Sequence, residues 1–140
     1  MNLRIRLFSI VLGIAFGIPL LSQTTQEVVT TKTAKSRLVK QYYQAKDLAY
    51  EGDRSTAIKI LDKLLSKEPN FIEALFLKAD IHYDEGDFST AIHFYEKGLQ
   101  LNREYDDLIL YQLGLSYSQI DNFQKAIICL KEFIKIKNPS

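Results

Sequence analysis

The feature that most constrains this chain is an internal repeat with a spacing of 34 and then 35 residues. The triplet Glu51-Gly52-Asp53 returns as Glu85-Gly86-Asp87 and, in altered form, as Ile120-Asp121-Asn122. A period of this length is typical of arrays in which each unit is one supersecondary structure that buries its apolar face against its neighbours. Four residues after each triplet comes an alanine followed by an isoleucine: Ala57 and Ile58, Ala91 and Ile92, Ala126 and Ile127.

Each unit is predicted to form two antiparallel helices joined by a tight turn. Apolar residues recur at helical spacing before the turn, for example at Leu38 and Tyr42. Glycine enters the left-handed conformation without steric penalty, so we expect Gly52 and Gly86 to end their helices, with Asp121 as a tolerable substitute. The residues expected to cap the second helices through a side-chain oxygen are Asp53, Asp87 and Asn122.

The 34-residue period, the Gly-Asp turn and the alanine after it resemble the tetratricopeptide repeat. The resemblance implies an all-α fold, a right-handed α-solenoid of three helix-turn-helix units with six helices. Departures from the repeat pattern are Gln41, Gly98, which replaces an alanine, and Arg103, which replaces an exit proline. An unrelated six-helix bundle is the alternative. The repeats are predicted at residues 38–71, 72–106 and 107–140.

The N-terminus has the pattern of a secretory signal peptide. Arg4 and Arg6 precede an apolar stretch, residues 7–21, after which the chain turns polar at Ser22. This stretch is shorter than the roughly 20 residues that cross a bilayer. We therefore expect a signal peptide over residues 1–22, with an uncleaved anchor as the alternative. A polar, mobile linker is expected over residues 23–37. The protein is then expected to be exported, to the periplasm or the outside of the cell, as part of a bacterial envelope.

Charge and reactive residues exclude several classes of function. The 18 basic and 17 acidic residues become 16 and 17 once the leader arginines Arg4 and Arg6 are removed, so we expect neither nucleic acid nor membrane binding beyond the leader. His82 and His93 fall on different helices, and Cys129 has no Cys-x-x-Cys partner. We expect no catalytic residue, no metal site and no cofactor, and hence no enzyme.

The resemblance further implies that the first helices of successive units line a concave face. Rings with a few charges on such a face suit a peptide segment or helix of another protein. The alternative is that individual rings pack in the core. The predicted groove residues are Tyr42, Tyr43, Lys46, Tyr50, Phe76, Leu77, Asp80, Tyr83, Asp84, Tyr111, Gln112 and Leu115.

The last predicted helix gives a second candidate surface, because it carries apolar residues where a repeat array normally ends in a polar face. An uncovered apolar patch usually marks a partner site or self-association. The sequence therefore predicts either an exported adaptor that binds through its groove, or a structural subunit of an envelope complex that docks or forms a homodimer through this end. The residues predicted for this second surface are Leu130, Phe133, Ile134 and Ile136.

Overall fold

The computed structural model describes residues 27–139, so the predicted signal peptide and its cleavage site lie outside the described residues. Among the described residues, no helix combines the length and apolar character needed to cross a membrane. The six helices found there are α1 (Ser36–Glu51), α2 (Arg54–Leu65), α3 (Ile72–Asp84), α4 (Phe88–Leu101), α5 (Leu108–Gln119) and α6 (Phe123–Lys137).

The helices pair as three hairpins, α1 with α2, α3 with α4 and α5 with α6, and the second helix of each hairpin packs on the first helix of the next. Small residues allow this close approach. Ala45 faces Ala57, and Ala79 faces Ala91, with all four side chains completely buried. The predicted all-α helical repeat solenoid is therefore confirmed.

The turns inside the hairpins have the predicted backbone geometry. Gly52 and Gly86 adopt φ of 94° and 79°, and Asp121 adopts 59° as the one non-glycine residue with positive φ between residues 27 and 139. In the first turn the Asp53 carboxylate accepts a hydrogen bond from the backbone N–H of Thr56 at 3.1 Å. Asp87 and Asn122 cap α4 and α6 in the same way.

The segment before α1 differs from the predicted mobile linker. Val29 donates its N–H to the Asn70 carbonyl at 3.0 Å and accepts from the N–H of Ile72 at 2.9 Å, which forms a short parallel bridge beside Phe71. The Glu73 carboxylate accepts from the Thr31 N–H and hydroxyl at 2.9 and 3.0 Å. The reason is that the Val29 carbonyl satisfies the Ile72 amide group at the start of α3, which has no partner inside the helix.

The junction between the second and third hairpins is held by charged side chains. Arg103, at the position where an exit proline was expected, donates from Nε to Glu132 Oε1 at 2.8 Å and from Nη2 to the other carboxylate oxygen. Lys137 pairs with Asp107 at 2.7 Å. A two-bond guanidinium–carboxylate contact fixes orientation as well as distance, so α6 is tied to the loop that precedes α5.

Candidate functional site

One side of α1 presents rings and a charge to solvent. Tyr50 is 81% exposed, and Tyr43 is also exposed on the same helix. The Lys46 ammonium lies 6.0 Å from the centre of the Tyr50 ring, at the outer limit of a cation–π contact. Exposed rings of this size supply contact area for a partner at low entropy cost.

Two of the predicted groove rings belong instead to the core. Tyr42 packs its ring against Phe71 at 5.6 Å, and burial raises the pKa of Tyr42 to about 12. Phe76 is buried against Gly98, where an added Cβ would lie 2.1 Å from a ring carbon. The helical spacing correctly assigns these rings to α1 and α3, but it contains no information on the residues of other elements that cover them. Neither ring is available to a ligand.

A cleft of about 220 Å³ opens between α1 and α3 next to Tyr50. Its walls combine apolar side chains with charges at the rim. Arg54 at the start of α2 reaches across to Asp84, with 3.6 Å between Nη2 and Oδ2. The repeat pattern did not single out Arg54, because it lies on the second helix of its hairpin and the groove was predicted on the first helices. The residues that line the cleft are Ala49, Tyr50, Arg54, Leu77, Asp80, Ile81 and Asp84.

Asp80 is the carboxylate at the centre of this face. It accepts a hydrogen bond from the hydroxyl of the fully buried Tyr95 at 2.5 Å. The surrounding protein raises the pKa of Asp80 by desolvation, and the nearby charges of Asp84 and Asp106 raise it further. Burial of the Tyr95 ring, together with the charge of Asp80, raises the pKa of Tyr95. Several carboxylates therefore lie close together on this face, and a nearby cationic group would stabilise their ionised forms.

The other predicted groove residues are placed along α1, α3 and α5. Tyr111 is exposed on α5, and Tyr83 on α3 is half-buried with its ring 5.3 Å from that of Phe88. The half-buried members of the set are Lys46, Leu77, Tyr83, Gln112 and Leu115.

Of the reactive side chains considered from the sequence, His82 and Cys129 are packed in the fold, whereas His93 is exposed. The His82 ring stacks on Phe94 with 6.1 Å between ring centres, and its Nδ1 lies 3.4 Å from Asp87 Oδ2. Burial raises the pKa of the Cys129 thiol, which disfavours the reactive thiolate. Within residues 27–139, no three His, Cys, Asp or Glu side chains are grouped so that they could hold a metal ion.

A second surface lies on the outer side of α6. Ile127 and Ile134 are 51% and 56% exposed there. The repeat spacing of 35 residues makes them equivalent to Ile92 and Leu99 of α4, which are only 7% and 5% exposed because α5 covers them. The α6 strip is therefore the counterpart of a buried interface between hairpins. We call its residues the end face: Phe123, Ile127, Leu130 and Ile134.

Only two of the four residues predicted for this second surface lie on the end face. Leu130 and Ile134 lie on the strip, whereas the Phe133 ring packs on Tyr111 at 5.5 Å and Ile136 lines a separate cleft beside Asp107. The sequence prediction omitted Phe123 and Ile127. The isoleucine repeated at Ile58, Ile92 and Ile127 was the signal that could have identified the second of them.

Comparison with known proteins places the chain among repeat proteins. It is 27% identical over 120 residues to human Tetratricopeptide repeat protein 21A, and 36% identical over 74 residues to human Superkiller complex protein 3. These matches cover 84% and 51% of this chain, but the chain spans only 9% and 5% of the length of those relatives.

A similar solved structure is the N-terminal domain of stress-induced protein-1 (STI-1) from C. elegans. The TM-score is 0.67 at 16% sequence identity, and the match covers 76% of this chain and 91% of that domain. At 16% sequence identity, this similarity shows a shared fold only.

A family model described as "Anaphase-promoting complex, cyclosome, subunit 3" matches residues 51–133, a region that runs from the end of α1 into α6. Its start coincides with the first member of the repeated Glu-Gly-Asp triplet, and it contains all three hairpin turns. Because more than half of the chain is matched, the chain belongs to this family of tetratricopeptide-like repeat proteins.

Proposed function

We propose that this protein is a binding adaptor that holds a peptide segment or a helix of another protein against the face formed by α1, α3 and α5. Proteins of this family and fold are typically non-enzymatic and act through protein partners. The observation that carries the proposal is the cleft between α1 and α3, which has the exposed Tyr50 ring at its edge and Asp80 inside it.

The chemistry of this face suits a protein segment. The rings of Tyr43 and Tyr50 offer flat apolar area, and Leu77 adds an apolar side chain to the lining of the cleft. Asp80 and Asp84 add directional charge, which fixes the register of a bound chain. An aromatic patch with charged neighbours is the usual composition of a recognition surface.

Site-specific photocrosslinking tests the proposal. A photoreactive phenylalanine is placed at Tyr43 or Tyr50 on the proposed face and, as matched controls, at the exposed Lys59 or Lys63 on α2. We expect the same crosslinked protein from both groove positions in the native cells, and none from the two α2 positions. Crosslinks that arise equally from the α2 positions would contradict the proposal.

A second candidate function is that of a structural subunit that docks in a larger assembly through its end face. The support is the exposed isoleucine strip on α6, whose counterpart on α4 is buried. The names of the family model and of one relative also denote members of multi-subunit complexes. A photoreactive residue at Ile127 that crosslinks to a partner, when Tyr43 and Tyr50 do not, would favour this second function over the groove.

We also propose that the protein is exported. The support is sequence alone: Arg4 and Arg6, the apolar stretch after them, and the polar exit at Ser22. Mass spectrometry of the protein from its native cells should find a chain that starts at Gln23 or Thr24. A chain that begins at Met1 in the cytosolic fraction would refute export.

A further inference from the structure

The interfaces between hairpins pair an apolar strip with one polar contact at a fixed position of the second helix. On α2 this position is Asp62, which pairs with Lys78 of α3. On α4 the equivalent residue is Glu96, which accepts a hydrogen bond from the Tyr117 hydroxyl of α5. Each carboxylate therefore meets a donor on the helix that covers its strip.

The equivalent position on α6 carries the opposite charge. It is occupied by Lys131, which is exposed beside Ile127 and Ile134, and the next turn carries the exposed Lys135. A helix that covered α6 as α3 covers α2 would place a side chain opposite Lys131. An acidic side chain there would complete an ion pair of reversed polarity, whereas a basic one would be repelled.

We propose that the end face binds an amphipathic helix of another protein whose apolar stripe is flanked by a carboxylate that meets Lys131. This inference rests on the second proposed function and names its partner by chemistry. The apolar stripe is required by Ile127, Leu130 and Ile134, and the carboxylate by the charge reversal at Lys131.

A second copy of this chain suits the end face less well. Head-to-tail stacking would set the strip against the outer face of α1, where Lys40, Gln44 and Asp47 are exposed. Their counterparts on α3 include Ala74 and Ile81, which are buried in the same cluster as the α2 residues. The outer face of α1 is thus polar where a covering helix must be apolar.

Symmetrical pairing of two α6 helices is opposed by charge. α6 carries four lysines and one acidic residue, Glu132, which Arg103 already holds through two hydrogen bonds. Two α6 helices packed along their strips would bring Lys131 and Lys135 of both copies to the same interface. Like charges across a contact disfavour that partner.

The probe for the test is a 15-residue peptide with the sequence of residues 71–85, blocked at both ends so that it carries no terminal charge. This segment contains α3, the helix that covers the equivalent strip on α2. One version keeps Lys78, and a second carries Lys78→Glu. Binding of each fluorescently labelled peptide to the full chain is measured by anisotropy at low salt.

We expect the Lys78→Glu peptide to bind about three-fold more tightly than the unchanged peptide, the difference expected for one solvent-accessible ion pair. Lys131→Glu in the protein should reverse that order. Ile127→Asp should weaken both peptides by about ten-fold or more, since it places a charge in the strip. Ile128→Asp, at an isoleucine that is even more exposed than Ile127 but lies off the strip beside α4, should leave both affinities unchanged.

The Ile127→Asp variant also distinguishes docking of the peptide on α6 from displacement of the native α3 by the peptide, because displacement would not depend on Ile127. Failure of both peptides to bind, or an order of affinities that Lys131→Glu leaves unchanged, would overturn the inference. Sedimentation of the full chain adds the remaining outcome. A dimer that Ile127→Asp separates would leave docking through the end face intact but show that a second copy, and not an acidic helix, is its occupant.

Discussion

The contact between Gly98 and Phe76 gives the sharpest stability prediction. Replacing a helical glycine by alanine ordinarily stabilises a protein by about 1 kcal/mol. At Gly98, however, the added Cβ would lie 2.1, 2.7 and 2.8 Å from three carbons of the Phe76 ring. The ring is rigid and only 6% exposed, so it cannot move aside into solvent.

Such overpacking costs about 1–3 kcal/mol, and the shortest distance places this site at the upper end of that range. Subtracting the gain in helix propensity, we expect Gly98→Ala to lower the free energy of unfolding by about 2 kcal/mol. Urea unfolding followed by circular dichroism measures this loss, provided that the m-value stays constant. A Gly98→Ala protein as stable as the wild type would refute the packing reasoning.

Two further variants isolate the cause. In a Phe76→Leu background the clashing ring carbons are gone, so Gly98→Ala should become stabilising by about 1 kcal/mol. Gly114→Ala is the matched control. Its Cβ would lie 2.8 Å from Leu130 Cγ, but Leu130 is a flexible, half-buried side chain that can rotate towards solvent, so we expect a clearly smaller loss than at Gly98. Equal losses at both glycines would show that backbone effects, and not Phe76, dominate.

Three further outcomes follow from local geometry. Asp121→Gly should stabilise the protein by about 0.5–1 kcal/mol in urea unfolding, because Asp121 holds a φ of 59° that glycine adopts freely. Asp87→Ala should lower the free energy of unfolding by about 1 kcal/mol at neutral pH through loss of the α4 cap. Hydrogen bonds from Thr90 hold the pKa of Asp87 below its usual value. The stability difference between the variant and the wild type should therefore vanish as the pH falls through that lowered pKa. Asp80→Asn should raise stability slightly at neutral pH while still accepting the Tyr95 hydroxyl. The reason is that desolvation by the surrounding protein raises the pKa of Asp80, although its side chain is exposed at the edge of the cleft. The gain should disappear below about pH 4, and a gain that persists there would contradict this cause.

Properties that depend on local sequence were predicted from the residues alone. A left-handed helix end needs a residue such as Gly52, and a helix start needs an oxygen such as that of Asp53, so the hairpin turns could be located without tertiary information. The repeat spacing then fixed the number and order of helices, because each unit can bury its apolar face only against the next.

Which surfaces are free was decided by tertiary packing. Tyr42 and Tyr50 lie on the same helix, two turns apart. The Phe71 ring covers Tyr42, whereas Tyr50 is left 81% exposed by the residues that the structure describes. Ile92 and Ile127 are the same residue type at equivalent repeat positions, and only the presence of α5 buries the first. Burial depends on the neighbour across the contact, which a helical period does not contain.

The segment before α1 shows the same division between local and tertiary effects. Its polar composition predicted a linker, but the pairing of Val29 with Asn70 and Ile72 depends on backbone groups more than 40 residues away along the chain. The sequence by itself determined the helices, their turns and their repeat. The tertiary structure alone decided which rings form the groove and which isoleucines remain open, because exposure is a property of the assembled helices and not of any one of them.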